Sequence, residues 1–131
     1  MNVVDSSAWL EYFADGPNAI HFADAIERTE ALLVPTISLY EVFKRVLQQR
    51  GEAAALQAVG VMLQGQVVEL TANLALSAGR LSVAHGLPMA DALILATAAA
   101  HRATLLTQDA DFEGLDGVEY RPHVRAHRPT S

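Results

Sequence analysis

Asn2-Val3-Val4-Asp5-Ser6-Ser7 is the stretch from which the architecture can be read. Two β-branched apolar residues, followed at once by an acid and two hydroxyls, predict a short buried strand that feeds a helix. The helix runs through Phe13 and is broken by Gly16-Pro17. The same alternation recurs outward from there. Ala19, Ile20, Phe22, Ala23 and Ile26 mark a second helix, and Leu32-Leu33-Val34 a strand ended by Pro35. Leu39, Val42, Phe43, Val46 and Leu47 keep the spacing of one helical face within Ser38 to Arg50, and Gly51 stops that helix. An Ala-rich helix from Glu52 to Leu63, a strand at Val67-Val68-Glu69 and a helix from Ala72 to His85 follow. Pro88, at a favoured first helical position, opens a helix to about His101. Thr104-Leu105-Leu106 and Val118-Glu119-Tyr120 are the last two strands.

Short apolar strands alternating with helices predict an α/β fold, a three-layer sandwich around a central, mainly parallel, short-stranded sheet. No repeat, linker or low-complexity segment divides the chain, so residues 1–131 read as a single domain. Within it, residues 121–131 form a basic terminal segment carrying Arg121, His123, Arg125, His127 and Arg128, either a solvated terminus or an arm that touches phosphates. About half of the residues are apolar, enough for a core without staples. The absence of cysteine excludes disulfides, thiolate zinc sites and cysteine nucleophiles. A net charge of −6 speaks against a broad, non-specific nucleic-acid binder. Asp5 interrupts any signal-like N-terminus, and the apolar run from Ala92 to Ala100 falls short of the ~20 residues a membrane span needs. A cytoplasmic protein is the expectation.

Four acids stand where an apolar chain has little structural use for them: Asp5, Glu41, Asp91 and Asp109. In open parallel sheets, ligands bind beyond the carboxyl ends of the strands. Asp5 and Asp109 each follow a strand, which predicts that both reach that edge. Asp91 is the only charge in Pro88-Met89-Ala90-Asp91-Ala92-Leu93-Ile94-Leu95-Ala96, a helix apolar nearly all round and therefore buried. A carboxylate there must be paired, hydrogen-bonded or metal-bound. The plain alternatives are specific. Asp91 would gain ~0.3–1 kcal/mol from the helix dipole in a first turn. Asp5 would cap a helix, although Ser6 and Ser7 are also competent caps. Asp109, with Asp111, would shape a turn. Glu41 lies opposite the apolar stripe of its helix and would pair with Arg45 at i+4.

Other chemistry finds little support. No histidine pair has zinc-ligand spacing, and His85 and His101 fall near helix C-termini, where the dipole suits them. No P-loop, GxGxxG or GxSxG occurs. Met62 and Met89 read as core filling.

Taken in series, Val3-Val4-Asp5-Ser6-Ser7, Ser38-Leu39-Tyr40-Glu41-Val42, the Pro88 to Ala96 segment and Leu106-Thr107-Gln108-Asp109-Ala110-Asp111-Phe112 resemble the PIN-domain nucleases. Among these the chain is most similar to the VapC-type toxins of bacterial toxin–antitoxin pairs. The resemblance spans essentially the whole chain. It implies that Asp5, Glu41, Asp91 and Asp109 form an acidic quartet. Ser7 and Thr107 would be hydroxyls bonded to a carboxylate or to a metal-bound water, and Asp111 a supporting acid. It further implies a ribonuclease toxin, a homodimer, and a cognate VapB-type antitoxin that blocks the acidic cleft.

The chemistry agrees with that resemblance. Several carboxylates within a few ångströms cannot all stay ionised without a cation. Oxygen-only ligands suit Mg²⁺, with Mn²⁺ as substitute, rather than zinc. Asp5 and Asp91 would be the principal ligands of that metal, completed by Asp109 and Glu41. The expected reaction is metal-assisted hydrolysis of an RNA phosphodiester. Lys44 and Arg45 are candidate phosphate contacts, or else a solvated helix face. One rival is a receiver-like, Mg-binding phosphoacceptor switch, which wants adjacent acids after its first strand and a lysine after its fifth. Asp5 stands alone, and Lys44, the only lysine, falls in a helix. The other rival is a non-catalytic binding module on the same fold.

Overall fold

Five short strands build one sheet in the order β3-β2-β1-β4-β5, and each adjacent pair is parallel. They are β1 (Asn2–Val4), β2 (Leu32–Pro35), β3 (Gln66–Val68), β4 (Thr104–Thr107) and β5 (Val118–Tyr120). The helices are α1 (Ser6–Phe13), α2 (Ala19–Glu27), α3 (Thr36–Arg50), α4 (Glu52–Met62), α5 (Ala72–His85) and α6 (Met89–Ala100). Single 3-10 turns lie at Thr29–Ala31 and Ala110–Phe112. This arrangement comes from a computed structural model, which describes residues 1–125. His127 and Arg128 of the basic terminal segment lie outside the described residues.

Alternation along the strands divides the core in two, because successive side chains point to opposite faces. Val4, Leu32, Val34 and Leu106 pack on one face with α1 to α4, around Trp9, Phe22 and Met62. Val3, Leu33 and Leu105 pack on the other with α5 and α6, around Ile94 and Phe112. A parallel sheet covered on both faces needs strands apolar on both, and that is how these short runs read. The three-layer sandwich and the parallel sheet are therefore as expected.

Some boundaries differ from expectation, each for a local reason. Pro35 stays in β2 paired with Val68, and α3 starts directly after it at Thr36 rather than at Ser38. Pro88 is the N-cap of α6 with extended backbone (ψ 156°), so Met89 is the first helical residue. The strand expected at Val67 begins one residue earlier, at Gln66. Met62 is fully buried as expected, but Met89 is 73% exposed and fills no core. Leu47 lies at the solvent edge of its stripe, while Val42 and Val46 carry the burial.

The helix ends follow the chain chemistry. Gly86 takes the left-handed conformation (φ 67°) at the end of α5 and donates its N–H to the Ser82 carbonyl. His101 holds the Thr97 carbonyl at 3.0 Å near the end of α6, the structural role anticipated for it. Seven consecutive residues of α6, Ala92 to Ala98, are buried. That accounts for its near-uniform apolarity as a core helix. Among the described residues, no single helix is long and apolar enough to cross a membrane.

Candidate metal centre

The strand order places a break in the winding between β1 and β4. From β1 the chain adds β2 and β3 on one side of the sheet, then returns to add β4 and β5 on the other. Connections diverge at such a point, and a crevice opens beyond the carboxyl ends of the two strands. Asp5 follows β1 directly, and Asp109 lies two residues beyond β4. The ladder fixes their relative height: Val4 pairs with Leu106, and the Asp5 N–H donates to the Leu106 carbonyl at 3.0 Å.

Asp5 is only 2% exposed and sits at the N-cap position of α1, yet its side chain makes no capping bond. Its Oδ2 instead accepts from the hydroxyls of Thr107, at 2.6 Å, and Ser7. Capping therefore does not account for this acid. Burial raises the Asp5 carboxyl above its ordinary range; the Ser7 and Thr107 hydroxyls oppose that rise and the charge of Asp109 adds to it. Thr107 Oγ1 also accepts from the Asp109 N–H at 2.9 Å. Asp109 in turn accepts from the Asp111 N–H at 2.9 Å through Oδ1. The turn-forming reading of Asp109 is thus correct but incomplete, since one carboxylate shapes the turn and enters the crevice.

Asp91 enters from the first turn of α6. One carboxylate oxygen from each of Asp91, Asp109 and Asp111 lies within 4.8 Å of the others. Asp111, expected as a supporting residue, belongs to this closest group. The Asp91 carboxyl is pushed up to about 7, first by burial and then by the charges of Asp109, Asp5, Glu41 and Asp111. Asp5 and Glu41 thus lie near enough for their charges to reach Asp91, outside the closest group of three.

Glu41 departs from the plain alternative of a surface acid paired with Arg45. It is half-buried, and its Oε1 accepts from the Ser6 hydroxyl at 2.7 Å. Among the described residues the one ion pair is Arg28 with Asp24, so Glu41 is not paired with Arg45. In the sequence Ser6 reads as a spare helix cap because it stands beside Asp5. Its real partner is 35 residues away.

The donor set fits a hard divalent cation. It consists of carboxylate oxygens, with hydroxyls behind them and neither imidazole nor thiolate in the group. Such a set favours Mg²⁺-like ions over zinc. A cation would also relieve the repulsion that raises Asp91.

The sequence model of the PIN domain family matches residues 3–118. The chain belongs to the PIN domain family. Comparison with curated proteins finds no significant match. Solved structures share the fold. A chain of a toxin–antitoxin complex from Klebsiella pneumoniae superposes with a TM-score of 0.78 at 22% identity, over 91% of this chain and 96% of that one. VapC20 of Mycobacterium tuberculosis, described as a sarcin-ricin loop cleaving toxin, gives 0.78 at 23% identity, over 93% and 100%. A DNA-bound VapBC complex from Salmonella typhimurium gives 0.72 at 16% identity, over 92% and 96%.

Beside the acids of this PIN domain lies a polar network without a signal in the sequence. Asn18, 2% exposed, donates through Nδ2 to Gln108 Oε1 at 3.1 Å and to the Pro122 carbonyl at 2.9 Å. Glu11, 7% exposed, accepts from the Asn18 N–H at 2.8 Å. These residues come from separate elements, so no spacing rule relates them. Arg45 lines a groove that Ser7 also lines, while Lys44 is exposed, with its Nζ 5.7 Å from the centre of the Tyr40 ring. A lysine on α3 does not meet the receiver-like requirement for one after the last strand.

Proposed function

We propose that this PIN domain is a metal-dependent endoribonuclease and the toxin of a toxin–antitoxin pair. The observation that carries the reading is the meeting of Asp91, Asp109 and Asp111 oxygens, with Asp5 and Glu41 close enough to act on Asp91. Asp91, Asp109 and Asp111 would hold Mg²⁺, or Mn²⁺ in its place, together with Asp5. Glu41 would complete the site directly or through water. Bound there, the ion supplies an activated water, a hold on the phosphate and compensation for charge on the leaving oxygen.

The remaining work falls to the chain. Ser7 and Thr107 fix Asp5 through Oδ2, which leaves Oδ1 as the oxygen that neither hydroxyl occupies. Ser6 holds Glu41 at Oε1, so Oε2 can take a proton from the attacking water. The water oxygen bonds to phosphorus, and the bond from phosphorus to the leaving ribose oxygen breaks. Arg45, rather than Lys44, is the better placed of the two candidate cations for contact with RNA, because it shares a groove with Ser7, whose hydroxyl bonds Asp5.

Support for RNA as substrate comes from the neighbour described as a sarcin-ricin loop cleaving toxin. Neighbours described as toxin–antitoxin and VapBC complexes support a VapB-type partner. An acidic crevice closed by a basic side chain of that partner is electrostatically complementary. A homodimer in the cytoplasm completes the reading.

The test is cleavage of a structured RNA by purified protein with Mg²⁺ or Mn²⁺. Cleavage should stop with chelator and be lost in Asp5→Asn and Asp91→Asn. Equal cleavage by wild type and both variants would assign the activity to a contaminant and end the catalytic reading.

A further inference from the structure

A groove of about 290 Å³ is lined by Ser7 and other residues of α1 and by residues of α3. Ser7 belongs to both places, since its hydroxyl bonds Asp5 and it also lines the groove. Ser7 and Gln108, the neighbour of Asp109, thus tie the groove wall to the acidic centre. Arg45 and Gln49 of α3, His123 of the C-terminal segment and Glu11 of α1 line it, and Leu10 and Ala14 give it an apolar floor. Its volume lies near the lower limit for small-ligand pockets, roughly 300–1,000 Å³, which suits one planar group rather than a larger molecule.

His123 does not reach this wall by accident of a loose end. Asn18 spends its buried amide on the Pro122 carbonyl and on Gln108, and the Arg121 N–H donates to the Thr107 carbonyl at 2.9 Å. The segment bearing His123 is thus pinned to the end of β4, two residues before Asp109. A buried asparagine bridging two otherwise unrelated segments holds an imidazole at the groove wall.

The lining argues for a nucleobase over a phosphate. Glu11 places a carboxylate on the wall, which opposes a phosphate but not a neutral ring. Guanidinium and imidazole planes stack on unstacked bases, and amide side chains such as Gln49 hydrogen-bond base edges. We propose that this groove seats the base of the nucleotide next to the scissile phosphodiester, in single-stranded RNA. Arg45 and His123 stack on that base, and Gln49 reads its edge. The assignment rests on the nuclease reading and makes Arg45, Gln49 and His123 specificity residues.

The test uses short single-stranded RNA oligonucleotides that differ in one base beside the cleaved bond. Wild type, Arg45→Ala, His123→Ala and, as control, Arg80→Ala on the exposed face of α5 are compared with Mn²⁺ present. The two groove variants should lose about tenfold or more in kcat/KM on the preferred base, the scale of one base stack, and discriminate less among the four bases. Their Mn²⁺-induced rise in Tm should equal that of wild type, and Arg80→Ala should behave as wild type. Unchanged preference and rate would overturn the proposal. So would an equal loss on all four bases, which would indicate a phosphate contact. Binding to Asp91→Asn protein separates the two readings if wild type cleaves nothing. Base-selective binding that His123→Ala abolishes would retain the groove without the nuclease, and no binding would overturn both.

Discussion

Thr107 and Asp5 are 102 positions apart in sequence and 2.6 Å apart in the fold, hydroxyl to carboxylate. The same hydroxyl oxygen accepts from the Asp109 N–H. A serine or threonine has one donor and two acceptor sites, so a single group can orient one acid and position the backbone of another. The geometry of the crevice thus depends on a neutral residue.

Replacing Thr107 with Val keeps the shape and removes both bonds. The buried Asp5 carboxylate loses a donor and the Asp109 N–H its acceptor, which should destabilise the fold by about 1–3 kcal/mol. RNA cleavage should fall with it, and Thr107→Ser should recover most of both losses. Urea unfolding is the measurement. A valine variant as stable as wild type would show that the bond contributes nothing.

Stability of the metal-free protein should depend on pH through Asp91. Its folded carboxyl is raised to about 7 from an ordinary value of 3.8. The folded state then holds the proton more tightly than the unfolded state, so this contribution is complete below about 3.8 and is lost as pH rises through about 7. Asp91→Asn mimics the protonated form. In chelator it should match wild type at low pH and melt at a higher temperature at pH 8. Parallel Tm curves across that window would contradict the assignment.

Metal binding should couple to the same proton. A carboxylate must be deprotonated to ligate, so below about pH 7 the ion displaces a proton from Asp91. Affinity for Mn²⁺ should weaken by up to about tenfold per pH unit there, the slope of one proton. Calorimetry in buffers of different ionisation enthalpy should register the released proton. The Mn²⁺-induced rise in Tm should be larger in wild type than in Asp91→Asn. Equal rises would remove Asp91 from the ligand set.

Gly16 is constrained by a side chain rather than by its own backbone. A Cβ there would run into the Glu11 carboxylate. Gly16→Ala should drive Glu11 from the Asn18 N–H and cost about 1–3 kcal/mol through the unsatisfied buried amide. In Glu11→Ala the clash is gone, so adding Gly16→Ala should then cost little. Additive penalties in the double variant would show that the two residues act independently.

The legible part of this protein was local. Val3-Val4 and Leu105-Leu106 read as buried strands because both of their faces are apolar. Asp91 drew attention because a lone charge in an apolar helix needs a partner. Glu41 read as a surface residue because helical periodicity reports only which face is apolar, and it gives no account of a serine arriving from another helix. Asp111 looked peripheral for a similar reason. It is exposed, and only its distance to Asp91 and Asp109 brings it into the group.

Strand and helix identity follow from periodicity and breakers, which act over a few residues, and so the chain itself specified its layers and the edge to which Asp5 and Asp109 belong. Convergence is a long-range property. It required β4 to pair beside β1 and α6 to bring its first turn to the crevice. The raised Asp91 carboxyl exists only once burial and four neighbouring charges are assembled around it. Spacing along a chain cannot encode that field, because Coulomb energy depends on distance through space and on how much water has been excluded between the charges.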